Sequence, residues 1–447
     1  MMMKFLFMIV FMFVMILKNM KVMFYYNICF ILSFFFLFNF MYKDMIWVSV
    51  GMMFGHDFFS FYMLILSLWI LGLMFMVIQL DNKMFKDNYM KKMMMFMFML
   101  MILLMFFSSM NLIMFYLMFE LSLIPTFMMI IYWGMNFERL KASYYLLMYT
   151  MFISLPLLIY IMKLLKFNGS LDLNLLIMLM NYEISLWDYM ILFMAFFIKL
   201  PIYLFHIWLP KAHVEAPVYG SMILASVLLK LGSYGILRFL EMFFKQSIKF
   251  NYLIISVGIM GSLLVSLICL IQIDMKSLVA YSSVVHMNML MCSMLTLMKM
   301  GFISSYILMI SHGLCSSGLF FMVNLYYERS YSRLMFFNKG MLNVMPSLSI
   351  WWFFLCSANF SFPFSLNFIS EIYMISVLIG WDLCLMIYLM IICFFSSAYS
   401  LYLYSYIQHG SVYMEEMFMN IYLKDYMILL VHIKPLFLLI LNLCLFH

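Results

Sequence analysis

Between Lys92 and Glu138 lie 45 residues, and Glu120 is the only charged one among them. The pattern recurs along the chain. Lys199 stands alone between Asp188 and Lys211, Lys230 between Glu215 and Arg238, and Glu371 between Lys339 and Asp382. A water-soluble domain cannot hide runs this long and this apolar. About 20 such residues cross the hydrocarbon core of a bilayer as a helix. Lipid favours the helix because it satisfies its own backbone groups. The whole chain agrees: 68% of residues are hydrophobic and 10% charged, against roughly 25% charged in soluble domains. The reading is an all-α polytopic membrane protein. The formal charge of +7 is therefore no nucleic-acid footprint, since the basic residues sit in short loops, where they set topology.

Fourteen segments satisfy the length and hydropathy of a span, near 5–17, 23–41, 58–80, 93–109, 111–133, 142–165, 189–209, 216–237, 251–272, 277–298, 301–327, 345–379, 383–407 and 427–446. The amino-terminal run lacks a small-residue cleavage site, so it reads as the first span rather than a signal peptide. Odd-numbered connections hold fourteen Lys and Arg residues; even-numbered connections and the termini hold nine. Basic residues stay on the side from which a chain is inserted. This places the odd loops on that side and both termini on the opposite one.

Two segments are interrupted by proline: the seventh at Pro201 and the twelfth at Pro363. Proline removes a backbone donor and clashes with the preceding turn. Each break lies close to a lone charge, Lys199 or Glu371. Five spans separate the two, which gives them opposite orientation, as in an inverted repeat. The expected organisation is residues 1–92 as three leading helices, 93–240 and 250–408 as two inverted five-helix repeats, and 409–447 as a closing helix. Prolines also occur in transmembrane helices without repetition.

The lone charges carry the chemistry. A charge inside a lipid-embedded helix costs several kcal/mol unless it is paired or faces water. Any one of them can be explained as a packing partner for a neighbouring helix. Glu120, Lys199, Lys230 and Glu371, joined by His286 and His312 at mid-depth, make two acids, two bases and two imidazoles. A proton wire needs such a row. If a carboxylate such as Glu120 moved from ~4 Å to ~8 Å from Lys199, at an effective dielectric of ~20, the attraction would fall from ~4 to ~2 kcal/mol. That changes the hold of the lysine on its proton by about thirtyfold. The polar hinge LPKAHVEAPVYG carries Lys211, His213 and Glu215; a hinge needs polar residues, and no second cluster completes a metal shell. His206 reads as a packing residue. Arg238, at the end of its segment, is expected to reach the interface and to matter less.

None of the eight cysteines forms a CxxC pair, and there is no phosphate-binding glycine loop. No cofactor or metal is expected on this chain. The 59 Met and 51 Phe, with few Arg, suit an AT-rich genome that reads an isoleucine codon as Met, as animal mitochondria do.

The stretch IKLPIYLFHIWLPKAHVEAPVYGSMILASVLLKLGSYG resembles the signature of the antiporter-like membrane subunits of respiratory NADH:quinone oxidoreductase, complex I. FERLKASYYLLMYT, DMKSLVAYSSVVHMN, SHGLCSSGLFFMVNLYYERS and NFISE extend the resemblance over about residues 90 to 410, while the first ~90 and the last ~35 residues agree in hydropathy alone. The resemblance implies fourteen helices, proton translocation coupled to electron transfer, and residence in the mitochondrial inner membrane with both termini towards the intermembrane space. It implies Glu120, Lys199, Lys230, His312 and Glu371 as relay residues, with His286 as a further candidate. NADH, FMN, iron–sulfur clusters and ubiquinone would be held by partner subunits, which would include neighbouring antiporter-like chains, with lipid around them. A free-standing cation/proton antiporter subunit shares these motifs. A membrane scaffold would fit the apolar bulk but not the buried lysines.

Overall fold

The computed structural model describes residues 2–17, 20–38, 48–51, 53–78, 86–134, 136–179, 184–412 and 421–446. Lys18, Lys43 and Lys83, which enter the loop-charge comparison, lie outside the described residues, as do the ends of the segments expected at 23–41 and 58–80. The chain forms two compact units: Met1–Ala195 with Tyr234–Phe243, and Phe196–Ser233 with Phe244–His447.

The first unit begins with α1 (Met2–Leu17) and α2 (Val22–Phe38), followed by a short antiparallel hairpin, β1 (Val48–Gly51) and β2 (Phe54–His56). The hairpin is a departure from the all-helical expectation. Then come α3 (Phe58–Ile78), α4 (Lys86–Ser108), α5 (Leu112–Leu121), α6 (Leu123–Trp133), α7 (Arg139–Asn168), α8 (Leu173–Leu179) and most of α9 (Leu186–Lys199). Helix α1 packs on α4, α2 on α3, and α6 on α7. Asn111 starts α5 by accepting the amide hydrogen of Ile113 on its side chain, 3.0 Å, the usual role of an N-cap. Helices α5 and α6 are one expected segment, interrupted at Ser122. Pro125 explains the interruption, because it cannot donate to the carbonyl of Leu121 and its ring crowds that position.

The second unit contains α10 (Trp208–Glu215), α11 (Val218–Ile223), a π-helical turn at Leu224–Leu228 and the start of α12 (Leu229–Met242). It continues with α13 (Phe244–Ile271), α14 (Met275–Leu295), α15 (Lys299–Ser330), α16 (Met341–Val344), α17 (Pro346–Asn359), α18 (Leu366–Trp381), α19 (Leu385–Gln408) and α20 (Leu423–Leu438). Helix α15, 32 residues long, is the axis of this unit. It packs against α11, α14, α17, α18 and α20, and its apolar stretch is buried throughout. By contrast, α19 and α20 leave most of their apolar surface outward, which suits lipid or another membrane protein.

Among the described residues, ten helices are long and apolar enough to cross a membrane, or eleven if the bent pair at Met335–Asn359 counts as one. Phe7–Ile16, Val22–Leu37 and Leu366–Trp381 are apolar but shorter. The chain is thus a helical multi-span membrane protein. Four of the fourteen expected segments lack a long helix: 189–209 and 345–379 are broken into shorter helices, and the described helices in 5–17 and 23–41 are short.

Candidate functional site

Lys230 is fully buried at the start of α12. Its Nζ lies 2.5 Å from the carbonyl oxygen of Ala225 and 2.9 Å from Nδ1 of His312. Ala225 belongs to the π-helical turn. Such turns are rare and recur at functional sites; this one presents a carbonyl oxygen to the ammonium. An ammonium has only donors. With Lys230 charged, Nδ1 of His312 must accept, which puts the ring hydrogen on Nε2.

From His312 on α15 the polar groups continue to α14 and α18. The rings of His312 and His286 are 5.7 Å apart between centroids. Nδ1 of His286 is 3.3 Å from Oε1 of Glu371. The other ring nitrogen of His286 is buried without a hydrogen-bond partner among the described residues. His286 and Glu371 line a cavity of about 20 Å³, with Met289, Cys393 and Ser396, which is room for about one water. Cation, imidazole, imidazole and carboxylate thus follow one another across four helices. Each buried charge gains a partner, and a lone charge at such depth would cost several kcal/mol.

Lys199 is 2% exposed and is the last residue of α9, where the free carbonyls of a helix end favour a cation. The turn that follows is built to a pattern. Phe196 O accepts from Leu200 N, Phe197 O from Ile202 N at 3.0 Å, and Ile202 O from Phe205 N. The break between α17 and α18 repeats it at an offset of 160 residues: Cys356 O from Phe360 N, Ser357 O from Phe362 N at 3.0 Å, and Phe362 O from Ser365 N. Leu204 and Phe364, also 160 apart, both take positive φ, 82° and 74°. A side chain from the next half-helix pins the equivalent carbonyl in each: Trp208 Nε1 donates to Ile198 O at 3.1 Å, and Asn367 Nδ2 to Ala358 O at 2.7 Å. The prolines themselves are not equivalent, since Pro201 matches Ser361 and Pro363 matches Tyr203. Lys199 matches Asn359. Two glycines allow the first break to pack. A Cβ on Gly232 would meet Phe196 O at 3.0 Å, and one on Gly261 would lie 2.2 Å from Cβ of Tyr203.

Glu120 is half-buried on α5, one residue before that helix ends, and belongs to the first unit. Of the six relay candidates, the structure brings Lys230, His312, His286 and Glu371 together in the second unit; Lys199 belongs to that unit also. His206 stacks on Tyr203 with ring centroids 5.3 Å apart, a packing role. The hinge histidine, His213, stacks on Phe320.

Arg238 corrects the sequence reading. It does not reach an interface: it is 3% exposed. Its Nη1 and Nη2 each lie 2.6 Å from a different carboxylate oxygen of Asp57, and Nη1 also donates to Glu241 at 3.2 Å. Nε and Nη2 donate to the hydroxyl of Tyr234, which donates to the carbonyl of Phe107. The clamp joins positions 181 residues apart in sequence, and no local signal announces it.

Two family models match the chain. The membrane domain of NADH:quinone oxidoreductase and Mrp antiporters matches residues 109–397, and the amino terminus of NADH-ubiquinone oxidoreductase chain 4 matches residues 2–90. The second match extends the resemblance to the leading region that showed hydropathy alone. The chain is 41% identical to NADH-ubiquinone oxidoreductase chain 4 of Locusta migratoria over 445 residues, 99% of each chain. It is 44% identical to that of Aedes aegypti over 443 residues, covering 99% of this chain and 98% of the relative. A chain of the structure of respiratory complex I from Thermus thermophilus with bound NADH superposes with a TM-score of 0.85 at 20% identity, covering 95% of this chain and 92% of that one.

Proposed function

We propose a mechanism on one premise: this chain belongs to the NADH-ubiquinone oxidoreductase chain 4 family. It is a proton-pumping membrane-arm subunit of complex I in the mitochondrial inner membrane. The relatives at 41–44% identity over nearly the whole chain favour this over a free-standing antiporter. Other subunits carry NADH, FMN, the iron–sulfur clusters and ubiquinone; this one carries protons.

The observation that bears most weight is the succession Lys230, His312, His286, Glu371. In the resting state Lys230 holds its proton against Ala225 O and His312 Nδ1. Loss of a compensating charge near the lysine frees that proton to His312. The imidazole releases its own hydrogen from Nε2 towards His286, which passes one on to Glu371. Glu120 and Lys199 are further relay residues, one in each unit; a carboxylate near a lysine holds its proton, and withdrawal of that charge releases it. Pro125 beside Glu120 and Pro201 beside Lys199 place both groups at helix breaks, where a small rearrangement moves a side chain without unwinding a span.

We read the full architecture as fourteen helices with both termini towards the intermembrane space. The repeats are 93–240 and 250–408, flanked by 1–92 and 409–447. The matching turns after Lys199 and Asn359 support the repetition. Neighbouring antiporter-like chains and lipid cover the outward faces of α7, α19 and α20. The test is Lys230→Ala in the assembled enzyme, reconstituted in vesicles. Removal of a proton carrier slows its step by roughly 10²-fold or more, so proton uptake per NADH oxidised, or coupled turnover itself, should fall while assembly is kept. Pumping at the normal ratio and rate would remove Lys230 from the path.

A further inference from the structure

His213, in the polar hinge, is a titratable group that the relay leaves unused. It is fully buried, and neither ring nitrogen has a hydrogen-bond partner among the described residues. Phe320 of α15 holds the ring flat, with centroids 4.7 Å apart and planes at 2°. The stack fixes the faces of the imidazole and leaves its nitrogen edges directed sideways between the packed helices. Buried polar groups are nearly always satisfied, so an imidazole with no partner on either edge among the described residues calls for one from outside the chain, such as water.

Its position gives that water a purpose. Phe320 lies eight residues beyond His312, about 12 Å along α15, and Ser330 ends the helix about 15 Å further on. Lys230, His312 and Lys276 all lie within electrostatic reach of His213. Near the end of α15, Glu215 Oε1 faces Arg333 Nη1 at 3.9 Å. Arg333 donates to the carbonyl of Val214 at 2.9 Å, and buried Lys276 donates to that of Ala216 at 3.3 Å. These groups gather where α10 ends, α14 begins and α15 has just ended. His213 therefore stands between the Lys230–His312 pair at mid-helix and a charged cluster at the helix ends.

We propose that His213 is a proton-carrying residue that joins the Glu215–Arg333–Lys276 cluster to Lys230, forming the route by which this subunit reloads its central lysine. This rests on the relay reading above. The neutral ring takes a proton from water on the cluster side and becomes imidazolium. It then releases the proton of its other nitrogen through water towards Lys230 and is neutral again. The connections that bear the cluster are odd-numbered, so uptake would be from the matrix.

The test compares His213→Phe, His213→Gln and Lys230→Ala in the assembled enzyme, reading NADH oxidation and vesicle acidification together. Phe keeps the stack on Phe320 but cannot titrate; Gln keeps polar edges but cannot titrate. Loss of most coupled pumping in both His213 variants, with assembly retained, is the expected result. Should Phe disturb assembly, the Gln variant decides alone. Normal pumping by either assembled His213 variant, with Lys230→Ala defective, would overturn the role of His213 and leave the relay standing. Normal pumping by all three would overturn the relay reading itself.

Discussion

Arg238→Ala tests whether the buried clamp of the first unit holds that unit together. The guanidinium makes two short bonds to Asp57, one to Glu241 and two to the Tyr234 hydroxyl. Asp57 also caps α3, since its Oδ1 accepts the amide hydrogen of Ser60 at 3.0 Å. Removing Arg238 leaves the Asp57 carboxylate buried without its cation. Breaking one side of a buried pair costs about 3–5 kcal/mol, a large share of the roughly 5–15 kcal/mol by which a folded domain is stable. Losses of even ~1–2 kcal/mol change cellular abundance several-fold. The assay is native separation of the solubilised membrane, with the assembled enzyme quantified, and the half-life of activity at raised temperature. Arg238→Ala should deplete the assembly strongly. Arg238→Met combined with Asp57→Leu should recover much of it, because a buried pair replaced by packed apolar groups is often near neutral. Wild-type assembly and heat stability in Arg238→Ala would refute the reasoning.

The clamp also carries a sign with pH. Burial alone would raise the Asp57 carboxyl, but the charge of Arg238 and hydrogen bonds from Arg238 and Ser60 outweigh it and hold the group below the usual carboxylate range. A depressed carboxyl contributes its stability above the unfolded value, near 3.9, and loses it only as pH falls through the lower folded value. In Arg238→Ala burial acts on that carboxyl without its cation and raises it, so the variant relieves its cost by protonating Asp57 as pH falls. The difference from wild type should be greatest at neutral to alkaline pH and shrink steadily on acidification.

Two further outcomes follow from the first helix break. Lys199→Ala should lower pumping and slow coupled NADH oxidation with assembly largely kept, and unchanged pumping by the assembled variant would exclude Lys199 from the path. Gly261→Ala puts a Cβ 2.2 Å from Cβ of Tyr203, an overlap that backbone must relieve at about 1–3 kcal/mol; assembly measured on native gels should drop, and a normal level would show that α13 shifts freely there.

The readable parts of this molecule were those where one residue decides. Lone charges in apolar runs identify themselves, because lipid makes each costly. Pro201 and Pro363 announce broken helices by their missing donors. Pro125 bears the same signal beside Glu120, and reading it in the same way would have placed the interruption at Ser122. Other features depend on distant partners. Nothing local at Asp57 points to Arg238, so a buried clamp read as a residue free to reach the interface. The π-helical turn at Leu224–Leu228 has no signature in LASVL; it is paired with the ammonium of Lys230. Span counting by hydropathy also misleads near breaks, where one crossing becomes two short helices.

The two helix breaks show how backbone and chemistry separate in this chain. The turn after Lys199 and the turn after Asn359 share three backbone hydrogen bonds, one positive-φ position and a pinned carbonyl, though Ser361 in the second also takes positive φ where the first has Pro201. Their prolines are displaced by two residues, so proline favours the break without setting its shape. The shape follows from the side-chain donor in the next half-helix, Trp208 in one case and Asn367 in the other. At the helix end itself the first break carries an ammonium and the second a neutral amide. Of the two side chains, only that of Lys199 can hold or lose a proton. In the second break the titratable group lies further on, at Glu371, against His286 and the small cavity. The same turn thus ends in an ammonium in one place and in a neutral amide in the other, so the backbone repeats while the titratable groups do not.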